Sequence, residues 1–290
     1  TGRNVGTDRS AAVMQPALMQ ATSRESLVAF RAELDQVVIG QDARQSYDLA
    51  DELFSVAQLL STQIGLRRAL GDAAAEGGTK IDLANRVLTG KISDPALQLV
   101  VAAVSLSWSV PGDLIDALIE ISRQSALAGA ETDGSIDDVE DEMFRFGRIL
   151  QANGGLEQSL GQGSVGVEQR IELLHNLIGN KVTPVTARLL QGAITAPRGQ
   201  SVFGTVEGLV DLAARRRARS VAIVTAPTEL TDKQQQRLAD SLSRIYGRNI
   251  AISVNVDRSV IGGLKVQVGD DLIDGTVAHR LNQARRRFAG

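Results

Sequence analysis

The chain has 290 residues, of which 43% are hydrophobic and 22% charged, and its formal net charge is −3. This content excludes an intrinsically disordered chain, which would combine low hydrophobicity with high net charge. The lack of cysteine excludes disulfides and thiolate chemistry, and two histidines leave little material for a zinc site. We expect no metal and no cofactor, and the 3% aromatic content argues against base stacking on nucleic acid.

The first half of the sequence has the periodicity of amphipathic helices. Residues 1–22 are small and polar and include Pro16, so we predict a linker or tether. From Ser23 onwards, apolar residues recur at spacings of three and four, which predicts short helices. These stripes include Leu27, Phe30, Leu34, Leu49, Leu53, Val56, Leu60, Leu97, Val101, Leu114 and Leu118. Breaks containing Gly or Pro separate them, so we predict an antiparallel helical bundle over residues 23–130.

A shift of 90 residues aligns one part of the sequence with another. Residues 51–54 (DELF) fall on residues 141–144 (DEMF), and 49 ungapped positions contain twelve identities. We therefore predict a second copy of the bundle over residues 131–218. The alternative is that two bundles merely share an apolar rhythm, but a rhythm alone would not align glycine with glycine or Asp-Glu with Asp-Glu.

Residues 219–290 change to the period of two that is typical of strands. Strands are predicted at residues 220–225, 249–256, 264–268 and 272–273. A helix is predicted to begin near Thr231, where Thr231 and Gln234 fit a capping box, and a terminal helix follows Val277. The sequence thus predicts a mainly α fold with a small C-terminal α/β module and a duplicated N-terminal helical bundle.

Basic residues are concentrated near the C-terminus. Residues 213–290 contain 14 basic and 7 acidic side chains. Arginine clusters at 215–219 and 285–287 lie at predicted helix ends, where cations interact favourably with the helix dipole. Binding to an acidic protein or to a nucleic acid is the alternative interpretation of these clusters.

Residues 161–166 (GQGSVG) match the dinucleotide-binding pattern G-x-G-x-x-G. That site requires a strand before the glycines, whereas an apolar helical segment precedes them here, so we interpret the motif as an interhelical loop. His175 and His279 have no acidic or histidine neighbour at metal-ligand spacing, and Trp108 ends an apolar stripe and is expected in the core.

The most patterned segment runs from Asp257 to Val277. Gly262-Gly263 predicts a tight turn into a strand, Gly269-Asp270 predicts a hairpin turn, and Asp274 ends a strand. The segment resembles the C-terminal signature of the δ subunits of F-type ATP synthases, the family of the oligomycin-sensitivity-conferring protein. Thr276 stands where that family usually has serine. The matching positions are Asp257, Ser259, Gly262, Gly263, Gly269, Asp270, Asp274 and Gly275.

The resemblance implies a non-catalytic stator subunit built from a six-helix bundle and this module. In that family the bundle holds N-terminal helices of the α subunits, the module holds the b-type stalk, and the catalytic head is kept from turning with the rotor during proton-driven ATP synthesis. The enlarged chain is similar to actinobacterial δ fused behind a membrane-anchored b-type stalk, and a start at Thr1 agrees with the tail of such a fusion. We expect a peripheral position on the cytoplasmic side of a bacterial cell membrane.

The resemblance also suggests binding residues. We predict that an α-subunit helix binds a groove between the first and fifth helices of the first bundle, around Phe30, Leu34, Leu97 and Val101. We predict stalk binding by Val277, Leu281 and Phe288. No nucleic acid or small-molecule substrate is expected. The alternatives are a helical interaction scaffold with a basic C-terminal module, a nucleic-acid-binding protein that uses the arginine clusters, and a nucleotide-binding enzyme that uses the Gly161 loop.

Overall fold

The computed structural model describes residues 19–73, 75, 77–161, 165–219, 221–246, 250–269 and 271–277. In this part of the chain there are twelve helices and four strands, and the described residues fall into two compact units that divide between Ala213 and Ala214. The first six helices are α1 (Ala21–Val37), α2 (Ala43–Thr62), α3 (Ile64–Gly71), α4 (Gly77–Leu88), α5 (Asp94–Ser105) and α6 (Pro111–Asp133). The next five are α7 (Ile136–Ala152), α8 (Gly154–Leu160), α9 (Val167–Ile178), α10 (Pro184–Thr195) and α11 (Val202–Arg219).

The order of elements repeats along the chain as the 90-residue shift predicts. Helices α2 to α5 correspond in length and order to α7 to α10, and α11 follows them as α6 follows α5. Buried positions also correspond. Matched buried pairs are Leu53 and Met143, Leu60 and Leu150, Leu70 and Leu160, Ala84 and Leu174, Leu99 and Leu189, and Ala103 and Ala193.

Equivalent hydrogen bonds hold equivalent helices together in the two copies. Ser93 caps the N-terminus of α5, and its backbone N–H donates to Oε1 of Glu52 at 3.0 Å. Thr183 caps α10 in the same way, and its backbone N–H donates to Oε2 of Glu142 at 2.9 Å. Because Glu142 lies 90 residues after Glu52 and Thr183 lies 90 residues after Ser93, the repeat preserves a specific polar contact as well as an apolar rhythm.

Helix α6 contributes side chains to both helical cores. Leu114, Leu118 and Ile121 pack in the core formed with α1 to α5, whereas Leu127 and Ala130 pack in the core formed with α7 to α11. The helix continues through the predicted boundary between residues 130 and 131, so the two bundles share it.

Helices α2 and α6 approach closely because α6 has small residues on the face that meets α2. The hydroxyls of Ser122 and Ser125 donate to the carbonyl oxygens of Ala50 and Ser46 at 2.7 and 2.8 Å. A Cβ atom on Gly129 would lie 2.5 Å from the Tyr47 ring and 2.9 Å from the carbonyl oxygen of Ala43. There is therefore no room for a side chain at this point of the contact.

The C-terminal unit is an α/β module with a mixed sheet. Its elements are β1 (Val221–Ala226), α12 (Asp232–Tyr246), β2 (Ala251–Val256), β3 (Lys265–Val268) and β4 (Asp271–Asp274). The strand order is β2-β1-β3-β4; β1 and β2 are parallel, and the other two pairs are antiparallel. Alternate residues Ala222, Val224, Val266 and Val268 are buried with Leu242 of α12. The predicted mainly α fold with a small α/β module is confirmed, whereas the predicted terminal helix lies almost wholly outside the described residues.

We expect Gly129→Val to lower the free energy of unfolding by about 2–3 kcal/mol, because the new side chain must push α2 away from α6. Gly65→Val is the matched control, since it adds the same side chain to a helical glycine that has open space around its Cβ position. Urea unfolding of both variants measures the effect. Equal stabilities would contradict the close packing described here.

Because of Tyr47, the stability of the contact between α2 and α6 depends on pH in the alkaline range. Its hydroxyl donates to Asp133 at 2.7 Å, and burial, followed by this bond, raises the pKa of Tyr47 to about 12. A raised pKa means that the folded state holds the proton more tightly, so this contribution is complete below pH 10 and is lost between about pH 10 and 12. We expect the difference in unfolding free energy between wild type and Tyr47→Phe to shrink over that interval. Parallel stability curves would refute the linkage.

Candidate partner-binding surfaces

Helices α1 and α5, which frame the predicted groove, pack directly against each other. The side chains of Phe30 and Leu34 are 0% exposed and belong to the first core. Leu97 and Val101 are half-buried on α5. A partner could therefore touch Leu97 and Val101 directly, whereas Phe30 and Leu34 support the groove from beneath.

In the second copy the corresponding face of the fifth helix is covered by the first copy. Nε of Arg188 on α10 lies 2.8 Å from Oδ1 of Asp51 on α2, and its guanidinium carbon lies 5.4 Å from the Tyr47 ring centroid. Burial raises the pKa of the Asp51 carboxyl, and Arg188 opposes that shift. The ring of Phe54 lies close to Gly192, at 3.6 Å from a Cβ atom built there. Side chains of α2 therefore contact α10 at Arg188 and Gly192.

The same face of α5 in the first copy has a different environment. The residues 90 positions before Arg188 and Gly192 are Gln98, which is exposed, and Ala102, which is half-buried. Leu97, Val101 and Ala102 are thus half-buried apolar residues on α5, and Gln98 beside them is exposed and uncharged. Such a surface is suited to a partner helix.

A charged network joins the segment after α10 to α6. Nε of Arg198 lies 2.6 Å from Oδ1 of Asp116, and Arg31 forms an ion pair with Glu120. The buried Gln124 amide also donates to Glu120 at 2.9 Å. Burial lowers the pKa of the Arg123 guanidinium to about 10, which leaves it charged at neutral pH. Glu120 and Arg123 are buried on α6 and would be costly to leave without their partners, whereas the Arg198–Asp116 pair is partly exposed.

The family signature in the C-terminal unit closes two chain segments on each other. Gly263 has φ +84°, and a Cβ atom there would contact the carbonyl oxygen of Gly275 and lie 2.9 Å from Cα of Thr276. The backbone N–H groups of Gly275 and Val277 donate to the carbonyl oxygens of Leu264 and Gly262 at 2.9 and 3.0 Å. Only glycine at position 263 allows this approach.

The acidic signature residues order their own turns. Oδ1 of Asp257 accepts from the backbone N–H of Ser259 at 2.8 Å, and side-chain and backbone hydrogen bonds from Ser259 lower the pKa of Asp257. Oδ1 of Asp274 accepts from the N–H and hydroxyl of Thr276 at 3.0 and 2.7 Å. Thr276 therefore keeps the hydroxyl that serine provides in the family pattern. Gly269 has φ +57° at the turn before β4.

Several predicted residues lie outside the described part of the chain or away from any site. Asp270, Leu281, Phe288, His279 and the arginines at 285–287 are not among the described residues, and Val277 is exposed. In the loop around Gly161, residues 162–164 are also outside the description, but α8 precedes it and α9 follows, which confirms an interhelical loop.

The structure also describes Trp108 and His175, which the sequence analysis singled out. Trp108 is buried and its indole N–H donates to the carbonyl oxygen of Ala103 at 2.8 Å, which confirms its place in the core. His175 is exposed on α9, and the described residues contain no group of His, Cys, Asp or Glu side chains able to hold a metal ion. Among those residues, no helix combines the length and apolar character needed to cross a bilayer.

Sequence reasoning missed the contact between the two copies. The identity of Phe54 and Phe144 was a usable signal, because an aromatic residue kept on a helix face outside the apolar stripe indicates a second contact surface. In the structure, Phe54 contacts α10, whereas Phe144 is 55% exposed.

Comparison with known proteins identifies the relatives of this chain. The sequence profile described as ATP synthase delta (OSCP) subunit matches residues 124–288. A protein named ATP synthase subunit delta from Streptomyces griseus is 42% identical over 272 residues, which are 94% of this chain and 100% of that protein. The subunit delta of Salinispora arenicola is 40% identical over 94% of this chain and 99% of its own length.

A longer relative carries an additional region. The ATP synthase subunit b-delta of Mycobacterium sp. (strain KMS) is 41% identical over 93% of this chain, but only 61% of that protein is covered. Among solved structures, one chain of the Toxoplasma gondii mitochondrial ATP synthase hexamer matches 58% of this chain and 96% of its own length, with 19% identity and a TM-score of 0.30.

We expect Gly263→Ala to destabilise the C-terminal unit more strongly than a positive φ alone would. An alanine at positive φ costs about 1–2 kcal/mol, and here the methyl group also meets the backbone at Gly275 and Thr276. Gly40→Ala provides the control, because Gly40 has φ +78° with open space around its Cβ position. Amide hydrogen exchange, measured separately for β1 to β4 and for α1 to α11, shows how much protection each variant loses in its own unit. Similar local losses of protection would mean that the close approach is unimportant.

Proposed function

Because this chain belongs to the ATP synthase delta (OSCP) subunit family, it is a structural subunit of the peripheral stalk of an F-type ATP synthase, and we propose that it has no catalytic activity of its own. It contacts the α subunits and the b-type stalk and so keeps the catalytic head from turning with the rotor. The match of the family profile over residues 124–288 is the observation that carries this conclusion.

We propose that the first bundle binds an N-terminal helix of an α subunit on the face formed by α1 and α5. The support is the difference between the copies: α2 lies against the face of α10 that bears Arg188 and Gly192, whereas Gln98 on α5 is exposed. Leu97 and Val101 would contact the partner, and Phe30 and Leu34 would hold α1 in place beneath it.

We propose that the C-terminal module binds the end of the b-type stalk. The signature residues would act structurally, since Gly263 and Asp274 hold the segments around Val277 in position. Val277 is 43% exposed and would lie at the edge of the contact. Leu281 and Phe288 are the other two residues that we propose to contact the stalk.

The complex to which this subunit belongs is membrane-associated. We propose that this subunit is peripheral, on the cytoplasmic side of a bacterial cell membrane, and attached through the complex or through a fused upstream anchor. Attachment through a fused anchor is motivated by the relative named ATP synthase subunit b-delta, in which 61% of the length corresponds to this chain.

The proposed role requires slow dissociation under torque. Two binding regions on one chain supply it, because after the first has bound, the second contact forms at a high effective concentration. A stator subunit can therefore combine several interfaces of ordinary size, each of roughly 1,600 Å² or less, into a persistent link.

We expect Val101→Glu and Gln98→Trp each to weaken binding of the full chain to isolated catalytic heads at least tenfold. The first puts a charge in the groove, and the second adds a bulky ring to an exposed position without touching the core. Leu177→Glu on α9 is the control for an added charge at an exposed leucine. Thermal unfolding of each variant first establishes that it is folded.

The same binding measurement is repeated with heads that lack the N-terminal segment of α. We expect wild type and the two groove variants to bind those heads equally weakly. If Gln98→Trp binds intact heads as tightly as wild type, the α1–α5 face is not the binding site.

A further inference from the structure

The surface formed by α2 and α6 in the first copy is covered by the segment that follows α10. Ala196 packs against the first core, and Arg198 pairs with Asp116 while also donating to the carbonyl oxygen of Gly112 at 3.3 Å. Under this cover, Ile119 is only 3% exposed. The first copy therefore uses the groove between its second and sixth helices to bind the C-terminal end of a helix.

The second copy presents the equivalent groove between α7 and α11. A cleft of about 260 Å³ is lined there by Phe144, Gly147, Phe203, Glu207 and Val210, among others. Phe144 corresponds to Phe54 at the 90-residue shift. Glu207 and Val210 correspond to Asp116 and Ile119 at the shift of 91 that aligns α11 with α6. Three features of the covered groove are thus repeated: an aromatic ring, an aliphatic floor and a carboxylate in the position that receives Arg198. Arg148 at the other side of the cleft stands where the first copy has Gln58.

The exposure of this second groove differs from that of the first. Phe144 is 55% exposed, and Val210 is half-buried where Ile119 is closed to solvent. Exposed apolar side chains beside charged residues mark a candidate binding surface. The covered groove between α2 and α6 in the first copy indicates which kind of ligand the α7–α11 groove accepts.

We infer that the α7–α11 groove binds a helix of another protein chain whose C-terminal end carries an arginine or lysine. Small residues on that helix would lie against Phe144, as Gly192 lies against Phe54, and the cation would pair with Glu207, with Asp211 beside it on α11. A cation near a helix C-terminus also interacts favourably with the helix dipole, so both groups support this orientation.

The fifth helix of the first bundle in a second copy of this chain does not offer the required helix end. The residue there that corresponds to Arg198 is Trp108, which is buried in the core, and the residue that corresponds to Arg188 is Gln98. That helix would therefore place no cation opposite Glu207. We take the ligand helix to belong to a different protein, and a cross-link to a second copy would contradict this.

This surface is separate from the α1–α5 face of the proposed function. A variant that abolishes binding at the α7–α11 groove leaves the α1–α5 face intact, and the reverse also holds. Variants on the two surfaces therefore test the two proposals separately.

The experiment places the photoreactive residue p-benzoylphenylalanine at position 144 of the full chain, assembled in its intact ATP synthase complex. After irradiation, the cross-linked peptide is sequenced. We expect a helical segment of another subunit, with an arginine or lysine in its last turn or within about five residues after it. Position 149 is the control, because Ile149 is 49% exposed on the same helix but does not line the groove.

The cross-link has several outcomes that would overturn the proposal. A cross-link from position 144 to residues 214–290 of the same chain, or to a second copy of the chain, would do so. So would a cross-linked segment that has no helix or no cation, and so would the same cross-link from positions 144 and 149.

A charge-reversal variant tests the ion pair independently. We expect Glu207→Arg to accelerate dissociation of the identified partner from the complex at least tenfold, with Glu172→Arg on the exposed surface of α9 as the control. Exchanging the partner's cation for glutamate should restore the slow rate in the Glu207→Arg background. An unchanged dissociation rate in Glu207→Arg, or no rescue, would exclude the pairing.

Discussion

The helical part of this protein depends on a single helix that has almost no exposed surface. From Asp113 to Glu131, all but one of the residues of α6 are buried. A helix buried on every side is normally apolar all round, yet the middle of α6 carries Glu120, Arg123 and Gln124. Ion pairing and hydrogen bonding with α1 and within α6 compensate these groups, and the serines of α6 donate to backbone oxygens of α2. Because separation of the bundles would expose both cores and these charges together, α6 makes the two copies one mechanical body.

The duplication preserved interior contacts and changed exterior ones. Glu52 and Glu142 keep the same hydrogen bonds to the next capping residue, and the core positions of α2 to α5 match those of α7 to α10. The faces that became the junction diverged: Arg188 and Gly192 replace Gln98 and Ala102, so that α10 can receive Asp51 and Phe54. A duplicated domain that uses one copy's surface to hold the other removes that surface from external binding. External partners must then bind the remaining equivalent surfaces.

Much of this architecture could be predicted because periodicity and turn chemistry are local properties. The helical stripes, the strands near the C-terminus and the interhelical nature of the Gly161 loop all follow from residues close in sequence. Sharing of α6 could not be predicted, because Glu120, Arg123 and Gln124 interrupt the apolar pattern and Arg31, the ion-pair partner of Glu120, lies about 90 residues away. Periodicity also cannot separate a groove from a core. Phe30 and Leu34 lie on the same stripe in either case, and only the packing of α1 on α5 shows that they are closed to solvent.

Stiffness is the physical property that joins this fold to a stator role. Torque applied between two binding sites is transmitted only if the material between them does not yield, and close-packed interiors have low compressibility. Gly129 brings α2 and α6 into backbone contact, and the Arg198–Asp116 pair fixes the segment after α10 against the same helix. Faces on the two copies are therefore held at a fixed spacing. For partners that are themselves parts of one complex, a fixed and correct spacing raises the effective concentration of the second contact above what a flexible tether allows. Sharing a helix, rather than joining the copies by a linker, is the feature of the fold that provides this rigidity.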